Sequence, residues 1–354
     1  AAINKTIDFF GEGIGVHTYY WHNYPYDTHY PDYFPAKPEF EGMISTIQKR
    51  KCHAVPYING RLWDPAADSY TALNGASASC RKADGTLYTE IYPTSKVLNT
   101  VTCPASSLWH EIIIGLADKI QNELHTNGVY IDQIAAAAPQ PCFAKNHGHF
   151  WYKSYKALID SIRGNHLRKD NIVFSEENSE CYIPLFDMLL TVNTPHANCR
   201  IVPLFPTVYS DRVITCAYTY TPTADVTKGE FRYQNMQCFL YGSQLGWVDP
   251  TLLMRDEAKT EATFLRTLME LRKKQHDIFI EGRYIREFVP GGDNPQIDVP
   301  TFGKNHVVMG SEWQSKDGQR VWYVVNMDTQ VHEVILPSGK SLKMKPLSGK
   351  RINL

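Results

Sequence analysis

No stretch of this 354-residue chain stays apolar for the roughly 20 residues that a bilayer-spanning helix needs, so no membrane partner is expected. There is also no block of one charge. With 36 basic and 37 acidic residues the balance is close to neutral, which argues against electrostatic capture of nucleic acid or of an anionic membrane surface. Gly-x-Gly-x-x-Gly and Gly-x-Ser-x-Gly are both missing, so dinucleotide and serine-hydrolase readings have no support. The eight cysteines (52, 80, 103, 142, 181, 199, 216, 238) contain no Cys-x-x-Cys and no zinc-type spacing. They read as buried free thiols, with Cys80 and Cys103 as a pair that could bridge a loop in an exported protein. Internal repeats and low-complexity tracts are absent. Nor does a signal peptide open the chain. Ala1 is not an initiator methionine, so a lost leader or upstream domain, and a secreted, periplasmic or cell-surface location, are expected.

What is abundant is aromatic. Rings make up 12% of the chain, with 21 Tyr and 7 Trp, and they crowd the first 110 residues, where flat apolar faces with polar edges suit a sugar or a base. The segment Gly128-Val129-Tyr130-Ile131-Asp132-Gln133-Ile134 reads as a short β-branched strand ending in a carboxylate, and Asn171-Ile172-Val173-Phe174-Ser175-Glu176-Glu177-Asn178 as a second. Between them, Tyr152, Tyr155, Leu158, Ile159 and Ile162 recur at helical spacing. Strand, helix, strand is a βαβ unit, whose parallel strands end on one face, so Asp132 and Glu176 are expected to share a pocket.

Alternation of strand and helix runs on in both directions. Ile14–Trp21 reads as strand one, Pro38–Lys51 as a helix and Cys52–Ile58 as strand two. Residues 65–100 read as a rim loop or hairpin, Val101–Cys103 as strand three, and Ser106 or Ser107 caps a helix through Leu124. The two carboxylate-bearing strands become four and five, followed by Phe186–Val192, Ile201–Tyr209 and Phe239–Leu245. Eight strands predict a (β/α)8 barrel, closed by the periodic helix Glu257–His276. After about residue 280 the pattern alternates apolar and polar, which predicts a small antiparallel β-sandwich. The expected domains are therefore 1–278 and 279–354.

Two carboxyl groups facing one pocket can cleave a glycosidic bond if one is ionised and the other protonated. Asp132, beside Gln133 and Tyr130, is expected to stay ionised, and Glu176, beside apolar strand residues and Glu177, to hold its proton. The alternative for each is a salt-bridged strand-end carboxylate. His17, Tyr20, Trp21 and His22 after strand one read as a sugar-stacking platform or as an aromatic lid. Asn59, Arg61 and Asp64 form a polar cluster in which Arg61 holds an anionic ligand group or simply pairs with Asp64. His147 and His149 could hydrogen-bond substrate or bind metal; Asn193, Tyr209 and Asp211 are further candidates, Asp211 as a third acid. A metal-dependent hydrolase would draw on His17, His22, His53 and Asp132, and a catalytically inactive barrel would bind carbohydrate only. No cofactor or metal is expected, the expected partner is an oligo- or polysaccharide, and the oligomeric state is open.

Several blocks in order carry a resemblance over roughly residues 10–250. His17-Thr18-Tyr19-Tyr20-Trp21-His22, Tyr30-Pro31-Asp32-Tyr33-Phe34-Pro35, Pro56 to Asp64, Tyr130-Ile131-Asp132-Gln133, His147-Gly148-His149 and Ser175 to Glu180 resemble bacterial glycoside-hydrolase-like barrel domains of mostly unassigned activity. More distantly, the layout is similar to the α-amylase superfamily and to endo-α-N-acetylgalactosaminidases. That resemblance implies Asp132 as nucleophile, Glu176 as acid/base, a retaining mechanism and a leaning to α-linked sugars. Glu177 departs from the pattern, which has Gly at that position.

Overall fold

The computed structural model describes residues 2–148, 150–192, 201–217 and 229–354. His149 and Asn193, two of the candidate ligand-binding residues, lie outside them. No described helix is long and apolar enough to cross a membrane. The chain divides into two compact units, Gly11–Met188 and Ala1–Phe10 with Leu189–Leu354.

In the first unit the strands are β1 (Gly15–Thr18), β2 (His53–Asn59), β3 (Leu62–Trp63), β4 (Thr89–Ile91), β5 (Leu98–Val101), β6 (Gly128–Asp132) and β7 (Ile172–Glu176). β1, β2, β6 and β7 lie side by side in parallel, with Thr18 opposite Pro56, Tyr57 opposite Tyr130, Asn59 opposite Asp132 and Tyr130 opposite Phe174. Helices Phe40–Lys49, Ser107–Asn122 and Trp151–Ser161 connect them, the second capped by the Ser106 side chain on the Trp109 N–H. Buried on both faces, β6 reads as a near-continuous apolar run because helices cover a parallel sheet. Two glycines set the spacing. A side chain at Gly128 would meet the Ile172 carbonyl at 2.2 Å, and one at Gly60 would meet Ile131 at 2.6 Å. The strands therefore close up where β6 begins and where β2 ends.

The expected third barrel strand is not part of this parallel sheet. β5 pairs antiparallel with β3 and β4, so β6 and β7 are the third and fourth parallel strands rather than the fourth and fifth. The predicted excursion at 65–100 is thus a hairpin-bearing insertion whose return strand, β5, ends at Val101.

β8 (Met188–Leu190) leads into the second unit, where β9 (Ile214–Cys216) follows. The Thr191 N–H donates to the Cys216 carbonyl at 2.9 Å. Here two more expectations are corrected. Ile201–Tyr209 was expected as strand seven, but Leu204–Tyr209 is helical and β9 takes that place. Phe239–Leu245 was expected as strand eight, but Glu230–Leu240 is a helix, and among the described residues a parallel bridge from Cys216 to Gln244 marks the strand pairing there. Every residue from Glu230 to Leu240 except Arg232 is buried, so the helix has no polar stripe to betray its period. The long helix expected near 257–276 is present as Lys259–Lys273.

From Arg283 onward the chain is antiparallel, as the alternation predicts. Arg283–Phe288, Val308–Gln314, Arg320–Asn326 and Ser348–Asn353 form one sheet in that order; a second joins Gly291–Gly292, His332–Ile335 and Ser341–Met344. Val308, Val324, Val334 and Met344 from both sheets enter one apolar cluster with Phe239 and Phe264 of the helices.

Candidate active site

Asp132 ends β6 and Glu176 ends β7, on neighbouring parallel strands, and the two side chains are hydrogen-bonded to each other. Immediately after each, the backbone turns through the left-handed region, with φ 65° at Gln133 and 69° at Glu177. The turns take the chain away and leave the carboxyl groups at the sheet end. Asp132 is buried, and phenols surround it. Tyr57 Oη donates to its Oδ2 at 2.9 Å, and Tyr130 Oη donates to Oδ1 at 3.1 Å. Among the described residues no lysine, arginine or histidine forms an ion pair with Asp132 or Glu176.

Burial raises the Asp132 carboxyl above its usual range, while the hydrogen bonds from Tyr57, Glu176 and Tyr130 pull it back. For Glu176 nothing pulls back. Burial, the neighbouring Asp132 charge and the hydrogen bond to Asp132 push it up to about 9, with Glu177 adding to the effect. Both carboxyls are raised and they titrate as one pair, with Glu176 the more strongly raised member and so the better placed to hold a proton.

The phenol system extends outward. Tyr30 Oη lies 3.3 Å from Tyr57 Oη and donates to Asp27 at 2.8 Å, and Tyr26 packs on Tyr57 at 5.7 Å between ring centres. Tyr19 packs on Tyr57 and Tyr26 at 5.0 and 5.6 Å between ring centres. His17, on β1, stands edge-on to Tyr130 at 4.7 Å, and burial lowers its pKa to about 3, so its imidazole stays neutral. Tyr19, Tyr26, Tyr57 and Tyr130 were not all visible in the sequence. Tyr130 was, since a two-residue offset puts it on the same strand face as Asp132.

Other candidates are placed differently. Tyr20 is exposed. Trp21 is not a platform: it is buried, stacked at 5.5 Å on Tyr33 and 5.6 Å on Phe40, with its Nε1 donating to the Tyr57 carbonyl at 2.8 Å. His22 is buried against Tyr33, and burial with the nearby charges of Lys37 and His29 lowers it to about 4. Asn59 caps the turn after β2, its Oδ1 accepting from the N–H groups of Arg61 and Leu62 at 2.9 Å.

Arg61 does not pair with Asp64. It grips Glu90 of β4 through two nitrogens, 2.9 and 2.5 Å, and donates from Nε to Gln133 Oε1 at 3.2 Å. Tyr92 donates to Glu90 at 3.1 Å and accepts from Gln133 Nε2 at 2.7 Å, closing a ring of four side chains that ties the hairpin to the residue after Asp132. Asp64 instead accepts from the N–H groups of His29 and Ala66 at 2.6 and 2.8 Å. His147 is buried on Ser77 and Cys142. Tyr209 ends a helix, and Asp211 pairs with Arg212 and Arg283 in the second unit. The set His17, His22, His53 and Asp132 does not converge: among the described residues, Cys80, Cys103 and Cys142 are the group whose ligand atoms come together.

Known proteins share this architecture. The chain is 50% identical to a protein of Bacteroides thetaiotaomicron named "Putative glycoside hydrolase" over 99% of its own length, and 30% identical over 67% to a Monosiga brevicollis protein named "Putative glycoside hydrolase 22789". It spans 53% and 22% of the lengths of those two relatives. Among solved structures, the α-N-acetylgalactosaminidase NagBb of Bifidobacterium bifidum superposes with a TM-score of 0.65 at 16% identity, covering 94% of this chain and 51% of NagBb. A maltogenic amylase of S. marinus gives 0.58 at 11% identity, over 99% of this chain and 60% of the amylase. At such identities the likeness is one of fold. A family model described as Domain of unknown function (DUF6259) matches residues 1–220.

Proposed function

The chain belongs to the DUF6259 family, and on that premise we propose that it is a retaining glycoside hydrolase in which Asp132 is the nucleophile and Glu176 the acid/base. The observation that carries the reading is the pair itself, two carboxyls at the ends of neighbouring parallel strands, with two phenols donating to Asp132 and, among the described residues, none to Glu176, surroundings that favour the ionised form at Asp132 and the protonated form at Glu176. Direct contact between the groups favours the close spacing of about 5 to 5.5 Å used for double displacement over the roughly 6.5 to 9.5 Å that leaves room for a water. In the first step Glu176 gives its proton to the departing glycosidic oxygen while an Asp132 oxygen bonds to the anomeric carbon. In the second, Glu176 takes a proton from water, whose oxygen displaces Asp132. Tyr57 and Tyr130 hold the nucleophile's orientation, and Tyr19, Tyr26 and the neutral His17 supply uncharged surface for a sugar.

The names of the relatives support a carbohydrate substrate, and NagBb together with a Thermus thermophilus α-galactosidase, TM-score 0.53 at 13% identity over 75% of this chain and 60% of that one, supports α-linked galactose-type sugars. On this reading the parallel strands within residues 1–278 belong to a barrel of the (β/α)8 type, with the strand corrections made above, and residues 279–354 form a β-sandwich. The test is incubation with nitrophenyl α-glycosides of galactose, N-acetylgalactosamine and glucose, followed by proton NMR of the first-formed sugar. An α-configured product is expected. A β-configured product would overturn retention, and binding without turnover would favour the inactive carbohydrate-binding barrel.

A further inference from the structure

Far apart in sequence, Cys80, Cys103 and Cys142 are buried with their sulfurs within 4.8 Å of one another. The backbone brings them there. Ser79 bridges antiparallel to Thr102, so Cys80 and Cys103 come from adjacent extended segments, linked by Cys80 N–H to Val101 O and Cys103 N–H to Ala78 O, both 2.8 Å. The segment after β6 is laid alongside by the Phe143 N–H on the Arg81 carbonyl at 2.9 Å, which delivers Cys142.

A histidine lies at the edge of the cluster, against Cys142, although its ring nitrogen is not within 4.8 Å of all three sulfurs. His147 Nε2 lies 2.9 Å from the Ser77 carbonyl, which can only accept, so Nε2 carries the proton. Nδ1 is thereby left with its lone pair, and it lies 3.4 Å from Cys142 Sγ. Fixing one imidazole nitrogen on a backbone carbonyl so that the other is free to ligate is the usual support for a metal-bound histidine. Sulfurs around a tetrahedral zinc, each at about 2.3 Å, stand roughly 3.8 Å apart, and the observed separations need only a small contraction to match.

We propose that Cys80, Cys103 and Cys142 hold a zinc ion as thiolates, with His147 Nδ1 as fourth ligand, and that the ion fastens the hairpin-bearing insertion to the loop after β6. Three thiols favour a soft-ligand metal over calcium or magnesium, and a closed set of protein ligands marks a structural rather than a catalytic ion. Binding releases three thiol protons and changes no oxidation state. A disulfide between Cys80 and Cys103 is the competing chemistry. It would use two sulfurs and leave the convergence of Cys142 and His147 without a role. A hollow lined by Cys103, Cys142, Gly148 and Trp151 provides a way in.

The full chain, purified without chelator, is expected to contain about one zinc per molecule by mass spectrometry of the metal, and to lose several degrees of melting temperature when the metal is stripped. Cys142→Ser should abolish retention and His147→Ala weaken it at least tenfold. Because the cysteine variants could misfold, cobalt exchanged into the unaltered chain gives an independent reading. Thiolate-to-cobalt charge-transfer absorption with strong tetrahedral bands supports the proposal. Metal-free protein with Cys80, Cys103 and Cys142 all reduced that takes up no added zinc, or a Cys80–Cys103 disulfide in a non-reduced peptide map, overturns it.

Discussion

Each unit buries a carboxylate on a strand, Asp132 on β6 and Glu312 on Val308–Gln314, and their company differs in kind. Glu312 is met by Arg286, 2.8 Å away, and by Arg320. Burial would raise it, but hydrogen bonds and charge from those arginines outweigh burial and hold it below the usual carboxylate range. Asp132 is given phenols and a second carboxyl instead of a cation, and both it and Glu176 sit high. A cation settles a buried charge once and for all, whereas phenols leave it ionised but reactive. Stability is served by the first arrangement and proton traffic by the second.

Swapping charge for amide at the two positions should separate them most sharply. Asp132→Asn is expected to lower turnover of an α-glycoside by on the order of 10³-fold or more, and to leave the melting temperature unchanged or higher, because a buried charge is removed. Glu312→Gln is expected to leave turnover within about twofold and to cost about 1–2 kcal/mol by chemical denaturation. That is less than the 3–5 of a fully buried pair, since both guanidinium groups are half-exposed. Loss of activity in both variants would erase the comparison.

Removing one phenol tests how Asp132 is kept ionised. Tyr57→Phe should lower kcat/KM by roughly 10- to 100-fold and shift the acid limb of its pH profile upward, since a hydrogen bond that favours the charged form is gone. An unshifted limb would mean that the phenol only fills space.

The pH dependence follows from Glu176. Its proton is held to about 9 in the folded chain and released near 4.5 when unfolded. The group's contribution to stability is therefore full below pH 4.5 and is lost as pH rises toward 9. Melting temperature should fall by several degrees between pH 5 and 9, less so in Glu176→Gln, and kcat/KM should decline as pH passes about 9. Smallest of all, Glu177→Gly should relieve the left-handed φ of 69° and stabilise the chain by about 1 kcal/mol, measured by denaturant titration.

The carboxylate ends of β6 and β7 were legible because β-branched runs bounded by polar residues admit one reading. Ile201–Tyr209 was not, since a short apolar run suits a strand or a helix equally, and Glu230–Leu240 hid its period by being buried all round. The grip of Arg61 on Glu90 spans 29 positions and depends on a hairpin whose pairing no local pattern announces. Of the cysteine cluster only the pairing of Cys80 with Cys103 was legible; Cys142 escaped because it comes from a separate segment and zinc spacing is a local signature.

The four-membered ring of Arg61, Glu90, Tyr92 and Gln133 has a consequence for descent. Because both side chains that the hairpin contributes come from its ascending arm, the outer stretch from Pro93 to Val97 carries none of the ring. A lineage can lengthen, shorten or rewrite that stretch while the charge balance at the carboxylates is inherited intact. Sequence drift among close relatives should therefore gather at the tip of the hairpin and thin out at its base.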